Sequence, residues 1–286
     1  MPEPNTFIVG APKCGTTSLA RWLAEHPQAY VSPLKEPHYF NTDHAFRNVH
    51  SEADYQALFA QAGSARVIAE ASTWYLHSEQ AVPTILRRWP RARFIVCLRD
   101  PAEMAASLHA HFLLSGREHI ADFLQAWQAA PARAQGRQLG PWVSEPAYLR
   151  YPDSCRIGSQ LARLQQQVPA SQLHLVVLDD VRRDPRGQWQ QLQHFLGLDD
   201  DGRSDFPTHN AGQRLRSVAL HRTLLRLRGL RAALGLQRWG RGLAKRFNRA
   251  PRAASAPRIP AEVREHFAPE VSLLFAALGR RYSEWE

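Results

Sequence analysis

The stretch Phe7 to Leu19, FIVGAPKCGTTSL, brings an apolar run, a glycine turn, a lysine and three consecutive hydroxyl side chains close together. The apolar run ending at Gly10 reads as a buried strand and a helix is expected after Gly15, so Ala11, Pro12, Lys13, Cys14 and Gly15 form the turn between them. Backbone N–H groups of such a turn point inward, and the helix N-terminus adds the positive end of its dipole. With the hydroxyls of Thr16, Thr17 and Ser18 as further donors, the chemistry this suits is the holding of a phosphate. Gly10 and Gly15 fit the G-x-x-x-x-G-K-[ST] loop of nucleoside triphosphate enzymes, yet Thr16 stands where the lysine of that loop belongs and the lysine comes earlier, at Lys13. With no clear acidic ligand for magnesium either, triphosphate hydrolysis is disfavoured.

A second anion site is suggested by FIVCLRDPAEMAASLHAHF, which starts at Phe94. A buried strand runs into Arg99-Asp100-Pro101, and proline is well tolerated at the first position of the helix that follows. Arg99, at the C-terminal end of a strand, projects toward the crevice where open α/β sheets bind ligands, and Ser107 lies two helical turns on. An arginine fork plus a hydroxyl would bind a second phosphate. Taken alone, Arg-Asp-Pro is more often a local ion pair; its weight as an anion site comes from coexisting with the first loop.

The elements that must position these groups alternate between strand and helix. Strands are expected at Thr6–Gly10, 67–70, 94–98 and 173–178, with a short one at Ala29–Val31; helices are expected after Gly15 and at 79–88, 102–114, 158–168 and 186–195. That alternation predicts an α/β fold, a P-loop-NTPase-like parallel sheet flanked by helices, in one domain spanning residues 1–286. The Pro-, Gly- and Ala-rich run AAPARAQGRQLGPWVSEP is expected to be a loop over that domain. A last helix over AEVREHFAPEVSLLFAALGRRYSEWE is expected to dock through Leu273, Leu274, Phe275 and Leu278.

Charge is unevenly placed. The net charge of +10 resides in residues 206–261, which hold twelve arginines and one lysine and no acidic residue; the remainder carries more acidic than basic residues. Leucines recur among those arginines from Leu215 to Phe247, predicting one or two amphipathic helices with a basic face. Such a face is either a solvated helix surface or, across 215–252, a surface for peripheral contact with an anionic membrane. RAPRAASAPRIP reads as a linker or lid. Three cysteines without paired spacing, and no leader-like or membrane-spanning apolar run, point to a reducing cytoplasm. No nucleic-acid recognition motif is present, and neither a zinc spacing nor another metal motif is found.

Taken in order, these motifs resemble those of sulfotransferases that use 3′-phosphoadenosine 5′-phosphosulfate (PAPS). PKCGTTSL is similar to their 5′-phosphosulfate loop and RDPAEMAASLHAHF to their 3′-phosphate motif. KEPHYF resembles the Lys-Glu-x-His-[FY]-Phe stretch of the heparan-sulfate-type branch and its bacterial relatives, AEASTWY resembles the Glu-Lys-[TS]-Pro-x-Tyr stretch, and LGRRYSEW matches how these domains end. The resemblance implies transfer of a sulfuryl group by in-line displacement to a hydroxyl or amine of a glycan, lipid or small natural product, with PAPS as donor, adenosine 3′,5′-bisphosphate as product and no metal.

It also implies roles for individual residues. Lys13 would stabilise the charge that grows on the bridging phosphate oxygen. Cys14, Gly15, Thr16, Thr17 and Ser18 would hold the 5′-phosphate, and Arg99 and Ser107 the 3′-phosphate. Glu36 matches the catalytic glutamate; His38, two residues on and on the same side of an extended segment, is the other candidate base. Lys35 and Glu70 are candidates for the acceptor side. The chain departs from the pattern at Ala71, where the branch has lysine, and at Thr73, where it has proline; Lys35 or an arginine of the basic segment is expected to compensate. Two other classes stay open: a P-loop nucleotide kinase, which predicts magnesium-dependent triphosphate binding, and a non-catalytic membrane or nucleic-acid binder, which predicts steep salt dependence.

Overall fold

Five apolar runs form one parallel sheet in the order β2-β3-β1-β4-β5, comprising β1 Thr6–Gly10, β2 Ala29–Val31, β3 Val67–Ala71, β4 Arg93–Leu98 and β5 Leu173–Val177. The computed structural model describes residues 2–208, 213–215, 223, 249–251 and 259–285. Every residue of β1 and β3 is buried, as is all but the first of β4. The sheet interior therefore reads as continuous apolar runs, as a sheet covered on both faces requires. The edge strands β2 and β5 are only half-buried over most of their length.

The expected α/β fold, a parallel sheet flanked by helices, is what the chain adopts. Helix α1 (Thr16–Ala24) follows β1; α2 (Glu52–Ala57) lies between β2 and β3; α3 (Ala81–Arg88) leads into β4 and α4 (Pro101–Ser115) leaves it. Beyond β5 the chain forms α9 (Leu178–Arg183), α10 (Pro185–Leu196) and the C-terminal α11 (Ala261–Leu278), with α8 (Ile157–Gln167) preceding β5. The short helices α5 (Phe123–Gln128), α6 (Ala130–Ala134) and α7 (Tyr151–Ser154) lie between α4 and α8.

Topology determines where chemistry collects. Strands β3, β1 and β4 are adjacent and parallel, so their C-terminal ends open on the same edge of the sheet. The glycine turn leaves β1 there, residues 72–75 leave β3, and Arg99 leaves β4. Hydrogen bonds stitch these exits together: Ser72 N donates to Ile8 O at 3.1 Å, Leu76 N to Val9 O at 2.8 Å and Ala11 N to Cys97 O at 2.8 Å. Beneath them Phe7 packs on Phe94, Trp89 and Phe40, with ring centroids 5.9, 5.6 and 6.5 Å away. Phe40 thereby fixes the segment that carries Glu36 and His38 to the core.

The chain divides into two compact units. The first, Met1–Met104, Arg156–Asn210 and Arg264–Glu286, contains the five-stranded sheet. The second, Ala105–Cys155 and Ala211–Val263, centres on a buried ion pair between Glu118 and Arg133 at 2.9 Å, completed by Tyr151 donating to Glu118 at 2.8 Å and Arg133 to Leu149 O at 2.7 Å. It also holds an antiparallel pair, β6 (Gln213–Leu215) with β7 (Arg249–Pro251).

Two sequence expectations need correction. The Pro/Gly/Ala-rich run is not all loop: α6 forms in it, and its Arg133 is buried with Nη1 donating to the Leu149 carbonyl and Nη2 to Glu118. The last helix buries Val263, Phe267, Val271 and Leu274, a stripe at helical spacing, and leaves Leu273 exposed, since consecutive leucines cannot share one face. LGRRYSEW ends the chain on α9, where Asp180 accepts from Tyr282 at 2.7 Å and pairs with Arg280, and Asp179 accepts from Trp285 at 2.9 Å. The basic amphipathic helices expected over 215–247 lie, apart from Leu215 and Thr223, outside the described residues, as does 252–258 of the linker.

Candidate active site

The glycine turn has the form its sequence predicts. Gly15 is the N-cap of α1 at φ 90, a left-handed conformation that glycine adopts without cost, and a Cβ there would stand 3.0 Å from Leu178 Cδ1. No side chain caps this helix; the Ser18 and Leu19 N–H groups donate to Gly15 O at 3.0 and 3.2 Å. Thr16 and Ser18 are nearly buried and Thr17 is half-exposed. Cys14 shapes the loop from inside: its N–H donates to Ala11 O at 3.3 Å and its thiol to Pro12 O at 3.4 Å. Burial pushes that thiol up to about 12, so it is not a nucleophile at neutral pH.

Lys13 crowns the turn with its backbone in the left-handed region, at φ 65. Burial lowers its pKa, and the charge of Arg99 lowers it further; Glu36 opposes both. Two cations pressed together in a partly buried turn cost free energy that an anion between them would recover. Arg99 is itself nearly buried. Its Nη1 donates to Lys13 O at 3.1 Å, its Nη2 pairs with Glu103, and its Nε–H has no partner. The local partner is therefore Glu103 and not the adjacent Asp100, whose carboxylate accepts from Ala102 N at 2.8 Å and lies 3.4 Å from Arg264.

Across the same edge of the sheet stand Glu36 and His38, at φ 64 and 51. Among the described residues only four non-glycine residues have positive φ, and three are Lys13, Glu36 and His38. Strained backbone of this kind persists where surrounding contacts hold it, and it concentrates at working sites. Here Glu36 N donates to Ala71 O at 2.8 Å, Asn48 Nδ2 to Glu36 O at 2.7 Å, and His38 N to Ser72 Oγ at 3.0 Å. Oε1 of Glu36 receives Lys35 Nζ at 2.7 Å and Thr73 Oγ1 at 3.1 Å, while Oε2 lies 3.6 Å from His38 Nε2. Burial raises the Glu36 pKa, but His38 and the Lys35 charge outweigh it and hold the carboxyl well below the usual carboxylate range. His38 is fully buried, and neither ring nitrogen has a hydrogen-bond partner.

Glu70 has no exposed surface. Its oxygens accept from Tyr55 at 2.6 Å and Ser72 at 2.5 Å, and burial pushes its pKa up to about 7 against these bonds and one from Tyr75. The same Ser72 hydroxyl receives the His38 N–H. The two departures from the family pattern acquire a meaning. Ala71 leaves its position without a cation, and Lys35 brings one to Glu36 from the neighbouring segment; Thr73 supplies a hydroxyl that proline lacks.

The first unit thus brings together Lys13, Cys14, Gly15, Thr16, Thr17, Ser18, Lys35, Glu36, His38, Glu70 and Arg99. Ser107 is nearly buried on α4 and belongs to the second unit. The sequence singles out Thr73 only as a departure from the family pattern, not as a partner of Glu36, and gives no role to Ser72, Asn48 or Glu103. Ser72 and Glu70, two apart in a strand-ending run, share a face, which was the one readable signal. Among the described residues no group of three or more His, Cys, Asp or Glu side chains is placed to hold a metal ion, and no helix is long and apolar enough to cross a membrane.

Comparison with known proteins agrees with this geometry. The sequence is 31% identical over 109 residues to the membrane-associated sulfotransferase kil1 of Dictyostelium discoideum, covering 38% of this chain and 23% of that protein. It is 29% identical over 174 residues to carbohydrate sulfotransferase 15 of Homo sapiens, covering 44% and 31%. With the human bifunctional heparan sulfate N-deacetylase/N-sulfotransferase 2 it shares 27% identity over 204 residues, covering 68% and 22%. The chain thus spans less than a third of the length of these relatives. Its fold is similar to the crystal structure of a sulfotransferase from Alicyclobacillus acidocaldarius, with a TM-score of 0.72 and 24% identity over 100% of this chain and 99% of that one. The sulfotransferase family matches residues 4–202, and on that match, which takes in the glycine turn, the Glu36 segment and Arg99, the chain belongs to the sulfotransferase family.

Proposed function

We propose that this chain transfers a sulfuryl group from PAPS to a hydroxyl or amine of a glycan, lipid or small natural-product acceptor. The observation that carries the reading is the convergence, at the C-terminal ends of three adjacent parallel strands, of a crowded Lys13, an Arg99 with a buried unpartnered Nε–H, and an ionised Glu36. These residues fit the donor: two sets of anion-binding groups suit its two phosphates.

The donor supplies a sulfuryl group on a phosphate leaving group. The start of α1, with Thr16, Thr17 and Ser18, would hold the 5′-phosphate, and Arg99 would hold the 3′-phosphate. Lys13 would stabilise the negative charge that the phosphate leaving group gains on sulfuryl transfer, more in the transition state than in the ground state. Glu36 accepts the acceptor's proton. Lys35 and Thr73 hold Oε1, which leaves Oε2 for the acceptor, and buried His38 backs that oxygen. Glu70 acts through Ser72 to hold the backbone of His38.

Both compact units belong to one sulfotransferase domain in this reading, supported by the fold likeness over the whole chain. The acceptor class rests on the glycan-named relatives, and the cytoplasmic setting on three cysteines that are all buried and free. The test is incubation of the protein and radiolabelled PAPS with a panel of glycans, lipids and hydroxylated or amino small molecules in a metal chelator. Label moving to an acceptor, with one bisphosphate released per transfer, is expected. No bisphosphate release and no label transfer with any acceptor would overturn the reading.

A further inference from the structure

Arg99 is held at both ends of its guanidinium before any ligand arrives. Nη1 is tied to the Lys13 carbonyl, Nη2 to the Glu103 carboxylate, and the buried Nε–H remains without a partner. Glu103 stands on the first turn of α4, four residues after Arg99, and its own side chain is about one-third exposed (30%) while that of Arg99 is 11% exposed. A surface pair at this spacing contributes little to a helix. This pair differs because one member is nearly buried, precedes the helix and lies beside a second cation, Lys13.

A free arginine side chain loses rotamer freedom when it binds an anion, and a fork fixed in advance binds with less of that loss. We propose that Glu103 is a positioning residue that sets the Arg99 fork for the 3′-phosphate, and so determines how strongly the site prefers a 3′-phosphorylated nucleotide over one that lacks that group. The inference rests on the assignment of Arg99 to the 3′-phosphate. Glu103 need not touch the nucleotide; it acts by holding Nη2 while the buried Nε–H is left without a protein partner. Asp100 cannot substitute, because its carboxylate is engaged by Ala102 N and Arg264.

The experiment is calorimetric titration of the unaltered protein and of Glu103→Ala and Glu103→Gln with adenosine 3′,5′-bisphosphate and with 5′-AMP. In Glu103→Ala, bisphosphate affinity is expected to fall about tenfold, the loss of one charge-assisted contact to the arginine, with 5′-AMP affinity changed less than about twofold. Retained 5′-AMP binding also shows that the variant is folded. Glu103→Gln keeps an acceptor oxygen for Nη2 and is expected to restore most of the preference.

Higher bisphosphate affinity in Glu103→Ala would make the carboxylate a competitor of the phosphate and overturn the proposal; equal losses for both nucleotides would reduce it to a structural pair. If the unaltered protein binds both nucleotides equally well, the assignment of Arg99 to a 3′-phosphate fails, and the inference with it. If it binds neither, the donor-site reading itself fails, a result visible before any variant is made.

Discussion

The donor and acceptor sides of the site lie on one edge of one sheet but are built in different ways. The donor side uses a glycine turn, a helix start without a side-chain cap and two cations, and it leaves the buried Arg99 Nε–H without a partner. The acceptor side leaves little unpaired except His38. There Glu36 is held by Lys35, Thr73, Asn48 and the Ala71 carbonyl, and the buried Glu70 holds Ser72, which in turn holds His38. The contrast is physical. An anion can be bound by unpartnered donors that await it, whereas a base must be kept ionised and in one orientation while neutral acceptors come and go.

The strongest way to separate the two sides is Glu36→Gln. Transfer is expected to fall by about 10²–10⁴, the contribution of a positioned base, with bisphosphate affinity unchanged in the same preparation. Full transfer on the true acceptor would remove Glu36 from the base role.

The buried support beneath the acceptor side should show in stability. Burial raises Glu70 from 4.5 to about 7, so between those values the folded chain keeps a proton that the unfolded chain has released. The stabilisation this brings is fully present below about pH 4.5 and declines as pH rises to about 7, by on the order of 3 kcal/mol. Burial of His174, which lowers its pKa from 6.5 to about 4, acts in the opposite direction over the same window, so the Glu70 contribution is read by difference. The stability margin of the unaltered protein over Glu70→Gln, which cannot titrate there, should shrink in urea denaturation as pH rises from about 4.5 to about 7; a constant margin would assign the pH dependence to other groups.

On the donor side, Arg99→Ala should weaken adenosine 3′,5′-bisphosphate binding about 10–100-fold, in keeping with loss of hydrogen bonds between charged groups, with little effect on 5′-AMP. Equal weakening of both nucleotides would place Arg99 away from the 3′-phosphate. The smallest effect is expected for Thr73→Val, which removes one hydrogen bond to Glu36 and keeps the side-chain shape. Transfer should fall about fivefold, the worth of one such bond, with nucleotide affinity unchanged.

The same contrast explains what the sequence disclosed. The donor side was legible because its geometry is local: a strand, a glycine turn and a helix start lie within one short stretch, and Arg99 directly follows the apolar run of β4. The sheet was legible for a similar reason, since its buried strands are unbroken apolar runs. The acceptor side depends on residues distant in sequence, such as Thr73 reaching Glu36 and Ser72 receiving the His38 N–H, and only the family motif pointed there. Composition misled where a tertiary contact overrode it. Arg133 is buried in a Pro/Gly/Ala-rich run because Glu118 meets it, and Leu273 faces outward although it sits in the apolar run of α11.

The most direct test of the account is calorimetric titration with adenosine 3′,5′-bisphosphate in the presence of a chelator, beside a titration with magnesium-ATP. The account predicts metal-free binding of the bisphosphate and little or no binding of magnesium-ATP. Preference for magnesium-ATP would contradict it and return the glycine turn to kinase chemistry; binding of neither would leave both phosphate motifs without their ligand.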